Sequence, residues 1–209
     1  MMSQRRVAFW DSVFAPPGSS GNVVNPLGVV NYAPDPYDVS VGTVDGHYPT
    51  TLTLATEAVH AWKDVATFGY PETALNVLPE AFWIYGRAFR GYVHREVKQG
   101  QFPGNSHPDS FEVSFPIPPG LSGAPLFLHK SPRDVVVGLC VGVNRGETTE
   151  FVFEEIRDDG QVRTEKRVRI EEYGIAHDLR PLHGWRPPSF NGLSLLEIAR
   201  QGLTPLSSA

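Results

Sequence analysis

Pro119-Gly120-Leu121-Ser122-Gly123-Ala124-Pro125 is the stretch on which the reading of this chain turns. A serine stands between glycines, with a proline closing each end. A serine that is to act as a nucleophile must sit exposed on a tight turn, with backbone N–H groups beside it aimed where an oxyanion will form. Gly120 admits backbone dihedrals closed to other residues and lets its N–H approach a substrate. Gly123 removes side-chain bulk behind the serine, and Pro125 stiffens the exit.

The residues on either side say what carries this turn. Phe111-Glu112-Val113-Ser114-Phe115 alternates apolar and polar and runs into Pro118-Pro119-Gly120, so a strand leads in. Pro125–Leu128 and Val135–Val143 read as a hairpin that leads out. No helical periodicity follows Ser122 and the second glycine of G-x-S-x-G is missing, which argues against a strand-to-helix nucleophile elbow. Further out, Leu27–Tyr32, Tyr37–Val44, Leu52–Leu54 and Asp64–Pro71 read as strands, and Val7–Trp10 as a further candidate. Ala81–Val93, rich in aromatics with Gly86 and Gly91 inside, predicts a bent strand or a strand pair. Glu150–Ile156 and Val162–Glu171 alternate and flank Asp158-Asp159-Gly160, a hairpin turn signal, and Tyr173–Ala176 predicts a last strand. Only Leu195, Leu196, Ile198 and Ala199 fit one helical face. Ser194 or Asn191 is placed to cap that helix and Gly202 to end it.

Composition agrees with many short strands. There are 20 Gly and 19 Pro, scattered rather than clustered, and 41% of the 209 residues are hydrophobic. The formal net charge of -5 argues against nucleic acid, whose phosphates demand a basic face. The local basic run Arg163-Thr164-Glu165-Lys166-Arg167 reads as a solvated hairpin face. No stretch approaches the ~18 apolar residues of a membrane span. No apolar segment follows Arg5 and Arg6 as in a signal peptide, so the expected location is cytoplasmic. The single cysteine, Cys140, excludes an intramolecular disulfide and lies in an apolar run, where a buried small side chain is expected. No His, Cys and carboxylate cluster shows metal-ligand spacing, and no metal or cofactor is expected.

Gly120-Leu121-Ser122-Gly123-Ala124-Pro125-Leu126-Phe127 resembles the G-x-S-G-G-P-L motif of trypsin-like serine peptidases, with Ala124 as the one departure. Gly138-Leu139-Cys140-Val141-Gly142-Val143 resembles the strand of that family that pairs with substrate backbone. Tyr37-Asp38-Val39-Ser40-Val41 is similar to the strand carrying the triad aspartate, and Asp64–Pro71 to the end of the first barrel of bacterial members. The resemblance spans about Asp38 to Ala176. It implies an all-β, two-barrel trypsin-like fold with a shortened N-terminal barrel and a short C-terminal helix. Residues 1–75 would form the partial first barrel, 76–186 the second barrel with the serine loop, and 187–209 a C-terminal tail. It further implies Ser122 as nucleophile, Asp38 as the orienting carboxylate, Gly120 N–H in the oxyanion hole, and Val141, Gly142 and Val143 as the strand that binds a peptide or protein substrate. Phe115, Pro116 and Ile117 would wall an apolar or shallow primary pocket. Leu121 stands where many zymogen-activated members keep an aspartate, so no activation salt bridge is implied.

One component is missing. In this family the base histidine precedes the aspartate along the chain, yet Met1–Tyr37 contains no histidine. All seven follow Asp38: His47, His60, His94, His107, His129, His177 and His183. Of these, His47 and His60 lie nearest in sequence to the Asp38 and Asp64 strands. The resulting expectation is a serine endopeptidase domain that is truncated or inactive as it stands. Two alternatives stay open: a non-catalytic, peptide-binding relative, and an unrelated β-rich binding domain. The sequence does not fix an oligomeric state.

Overall fold

The computed structural model describes residues 27–44, 52–78, 81–102, 107–129, 135–156 and 160–201. The expected strand Val7–Trp10 and His47 lie outside these. Strands dominate: β1 (Leu27–Tyr32), β2 (Ser40–Val44), β3 (Thr53–Leu54), β4 (Asp64–Gly69), β5 (Leu75–Leu78), β6 (Ala81–Ile84), β7 (Arg87–Val97), β8 (Ser110–Val113), β9 (Pro125–Leu128), β10 (Val135–Ile156) and β11 (Val162–Asp178). One helix, α1 (Leu195–Gln201), follows, so the described chain is all-β with a short C-terminal helix.

Six strands close on themselves. Around the ring the order is β4, β7, β8, β11, β10, β9 and back to β4, all antiparallel. β9 lies beside β4 and next to the β4–β7–β8 meander, the 4-1-2-3 order of a Greek key. Closure removes the exposed sheet edges that invite aggregation. Alternation places Val65, Val93, Phe111, Val113, Leu126, Val137, Cys140 and Ala176 in the interior. Thr67 is the polar exception. Its hydroxyl donates to the Pro125 carbonyl at 2.8 Å and lies 3.5 Å from Cys140 Sγ, so its burial is compensated. Outside the ring, Glu112 is 5% exposed and takes both a two-point contact from Arg95 (3.2 and 3.1 Å) and the Asn144 amide at 3.2 Å.

Smaller units lie beside the ring. β1 and β2 form a hairpin, and β5 and β6 another. Strand β3 adds to β10 in parallel at Val135 and Val136. Val39 packs with Val136, Leu179 and Leu182, with Tyr37, Trp185 and Leu195 around them. This ties the first hairpin to the C-terminal segment. Ser189 adds two hydrogen bonds to the Asn31 side chain, at 3.3 and 3.2 Å.

The structure decides several sequence expectations, some as expected and some not. Asp64–Gly69, expected in the first barrel, pairs with β7 and β9 inside the closed ring that carries the serine loop. Ala81–Val93 is a strand pair whose members belong to different sheets. Val135–Val143 and Glu150–Ile156 are one strand, as are Val162–Glu171 and Tyr173–Ala176, because β10 and β11 stay paired from Gly138–Asp178 out to Ile156–Val162. At α1 the cap is Ser194: its hydroxyl accepts from Glu197 N–H at 3.3 Å, and Glu197 accepts from Ser194 N–H at 2.7 Å, a reciprocal capping box. Asn191 instead takes a left-handed conformation, φ 50°, after the short 3-10 turn Pro188–Phe190.

Candidate functional site

The Ser122 loop joins β8 to β9 through two successive tight turns. Leu121 N–H donates to Pro118 O at 3.1 Å, and Ala124 N–H to Leu121 O at 3.0 Å. Gly120 and Gly123 occupy the third position of each turn with φ of 88° and 84°. That is the type II pattern, in which a residue with a Cβ is strained. Space is also short at Gly120: a Cβ there would lie 2.7 Å from Glu72 N and 2.9 Å from Tyr70 O. The neighbouring chain is held by Glu72 N–H donating to Pro119 O at 2.9 Å.

Two adjacent residues of the loop point opposite ways. Leu121 is fully buried in the ring's interior cluster, whereas Ser122 is exposed at the corner of the second turn. Ala124, the departure from the family motif, is 2% exposed and packs in that cluster without a positive φ, so a methyl group is accommodated there.

On its open side the loop meets β10. Gly123 N–H donates to Cys140 O at 2.5 Å, Cys140 N–H to Ala124 O at 2.9 Å, and Ser122 Oγ to Val141 O at 3.2 Å. The β10–β11 register slips between Cys140 and Gly142, leaving Val141 as the bulged residue beside Ser122. Beyond Leu139, where β9 stops, the outer edge of β10 has no strand partner among the described residues. Val141, Gly142 and Val143, expected to bind substrate backbone, therefore lie on an open edge next to Ser122. No backbone carbonyl among the described residues accepts from the N–H of Gly120 or of Ser122. Pro116 is exposed, while Phe115 and Ile117 are 7% and 2% exposed and belong to the interior cluster.

The titratable groups lie elsewhere. Asp38 sits exposed in the β1–β2 connection, and among the described residues it has no hydrogen bond or ion pair with a histidine. His60 Nδ1 contacts the Glu96 carboxylate at 3.0 Å. His107 Nδ1 and His177 Nε2 are 3.3 Å apart, and His177 is buried with Nδ1 unpartnered. Burial, and then the charge of His107, pull the His177 pKa down to about 4. His94 stacks on Tyr92 and meets Tyr173 at a tilt of 41°. None of these contacts involves Ser122. Burial raises the Cys140 thiol to about 11, as suits an interior side chain and not a nucleophile.

The sequence motif located the serine and its glycines but not what supports them. Leu121 as the apolar anchor, the Glu72 N–H brace and the Val141 bulge depend on contacts made across the fold. Among the described residues no three metal-ligating side chains converge, and no helix is long and apolar enough to cross a membrane. No model of a known protein family matches the chain, and no curated protein matches it.

Proposed function

We propose that the Ser122 loop and the adjoining edge of β10 are the serine side of a trypsin-like peptidase cleft, and that the chain holds an extended polypeptide there. The observation that carries this reading is the exposed Ser122 hydroxyl lying 3.2 Å from Val141 O, at the point where β10 loses its outer partner. An added strand is the common way to bind extended peptide, with backbone hydrogen bonds supplying affinity. The closed Greek-key ring is in keeping with the second barrel of the two-barrel architecture, and the β1–β2 hairpin with a shortened first one.

In a complete site Ser122 attacks the scissile carbonyl, a histidine takes its proton, Asp38 orients that histidine, and the N–H groups of Gly120 and Ser122 hold the oxyanion. Here the Ser122 proton is directed at a backbone carbonyl, which is too weak a base to accept it. Loss of one triad member costs a factor of about 10⁴–10⁶ in kcat. The same contact favours a second reading, a peptide-binding relative without turnover.

Fluorophosphonate labelling with Ser122→Ala as control tests the proposal. Slow labelling at Ser122, lost in the variant and suppressed by extended peptides, is the result expected of a peptidase cleft. Peptide binding without labelling selects the second reading. Failure of both labelling and binding across an extended-peptide library rejects the cleft altogether.

A further inference from the structure

Beyond the ring, β10 and β11 continue together as a two-stranded arm. From Arg145 to Ile156 every residue of β10 is exposed, and so is every residue of β11 from Val162 to Ile170. The arm buries nothing of its own chain among the described residues, yet it displays Phe151, Phe153 and Ile156 at 56, 46 and 75% exposure. An isolated two-stranded ribbon is marginal in water, and a third strand is the usual remedy. Asn144, which donates to Glu112, fixes the arm where it leaves the ring.

The two strands differ in charge. After Arg145, β10 carries Glu147, Glu150, Glu154 and Glu155 and no basic residue as far as Ile156. Most basic groups of the arm are already engaged: Arg163 with Glu165, Arg169 with Glu171, Arg167 with Glu150, and Arg145 with Glu147. Glu154 and Glu155 have no ion pair among the described residues. The outer edge of β10 is thus open, acidic toward its tip, and continuous with the edge at Val141–Val143 beside Ser122.

We infer that this edge is an extended subsite: it adds, as a third strand along Thr148–Ile156, a basic segment of the same polypeptide whose backbone lies at Val141–Val143. The inference rests on the cleft reading given above. The backbone edge supplies pairing, Glu154 and Glu155 select Lys or Arg, and Phe151 and Val152 accept interspersed apolar side chains. At about 3.3 Å per residue the added segment spans roughly 30 Å. The substrate class is therefore an extended polypeptide with a basic, β-prone stretch at a distance from the bond at Ser122.

The test uses the full chain carrying Ser122→Ala, so that no bond is cut. A short neutral peptide is compared with the same peptide lengthened by ten residues alternating Lys with Val, and by ten alternating Glu with Val. Affinity is read by fluorescence anisotropy and strand pairing by hydrogen exchange. The basic extension is expected to tighten binding about threefold, as one exposed ion pair provides, because alternate lysines share one face of the ribbon while Glu154 and Glu155 point to opposite faces. It should also slow exchange at Thr148–Ile156. Glu154→Gln with Glu155→Gln should cancel the gain and leave the short peptide unaffected. Equal binding of the acidic extension, or no protection of Thr148–Ile156 while Val141–Val143 is protected, overturns the subsite alone. Protection of Thr148–Ile156 without Val141–Val143 upholds the arm as a binding edge and overturns the cleft reading. Protection of neither overturns both.

Discussion

Gly120→Ala should cost this protein far more than a methyl group ordinarily does. The glycine has φ of 88°, where an L-residue pays about 1–2 kcal/mol. The new Cβ would lie 2.7 Å from Glu72 N, 2.9 Å from Tyr70 O and 3.1 Å from Pro71 C. All three are backbone atoms and cannot turn aside as a side-chain tip would. Relieving the overlap separates the loop from the 70–72 segment and breaks the 2.9 Å bond from Glu72 N–H to Pro119 O, worth about 1 kcal/mol. Backbone displacement of an overpacked site adds about 1–3 kcal/mol. The expected loss is about 3–6 kcal/mol, or a fall in Tm of roughly 6–24 °C for a chain of this size. Gly142→Ala is the matched control: it lies on the adjoining edge of β10, its φ is not positive, and its Cβ would meet nothing within 4 Å. That variant should stay within about 0.5 kcal/mol of the parent. Urea denaturation followed by circular dichroism measures both. Equal stability of the two variants would mean that the loop is not built on these turns, and the placement of the Gly120 and Ser122 N–H groups would fall with it.

Two further outcomes follow from buried groups. His177 stays neutral in the fold down to about pH 4 because of its burial and then of His107, whereas the unfolded chain takes up that proton near pH 6.5. The unfolded state therefore binds more protons between those values. Stability is whole above about pH 6.5 and declines as pH falls toward 4, by about 3 kcal/mol from this group, and His177→Gln should flatten that slope in a denaturation series; an unchanged slope refutes the assignment. Cys140, with its thiol raised to about 11 inside the ring, should resist iodoacetamide at pH 8 in the native protein and react on unfolding. Rapid alkylation of the native chain would place it outside the interior.

What was legible in the sequence is what local chemistry dictates. A type II turn demands glycine at its third position, so Gly120 and Gly123 announce the loop, whereas the helix start is open between Ser194 and Asn191 until the reciprocal bonds with Glu197 decide for Ser194. Alternation located the strands but not their partners. Asp64–Gly69 reads the same whatever strands it joins, and only its pairing with β7 and β9 puts it in the closed ring. No strand is expected over 144–149, between Val135–Val143 and Glu150–Ile156, yet β11 holds it as strand through the ladder. β5 was not anticipated: four residues, Leu75–Leu78, give a periodic signal too short to separate from noise. The role expected of Asp38 depends on a meeting across many residues, and among those described no histidine comes to it.

Since Leu121 and Ser122 are neighbours on one tight turn, whatever shifts the first shifts the second. Gly69 in β4 faces Leu121: an added Cβ there would stand 3.0 Å from Leu121 Cδ2. A methyl group at position 69, far along the chain, would press on the leucine, which must give by a few tenths of an ångström, and the serine beside it would move with it. Reaction rates fall about a hundredfold for misplacements near 1 Å. The interior of the ring thus offers a concealed adjustment of the serine, reachable by mutation without altering the exposed surface of the loop.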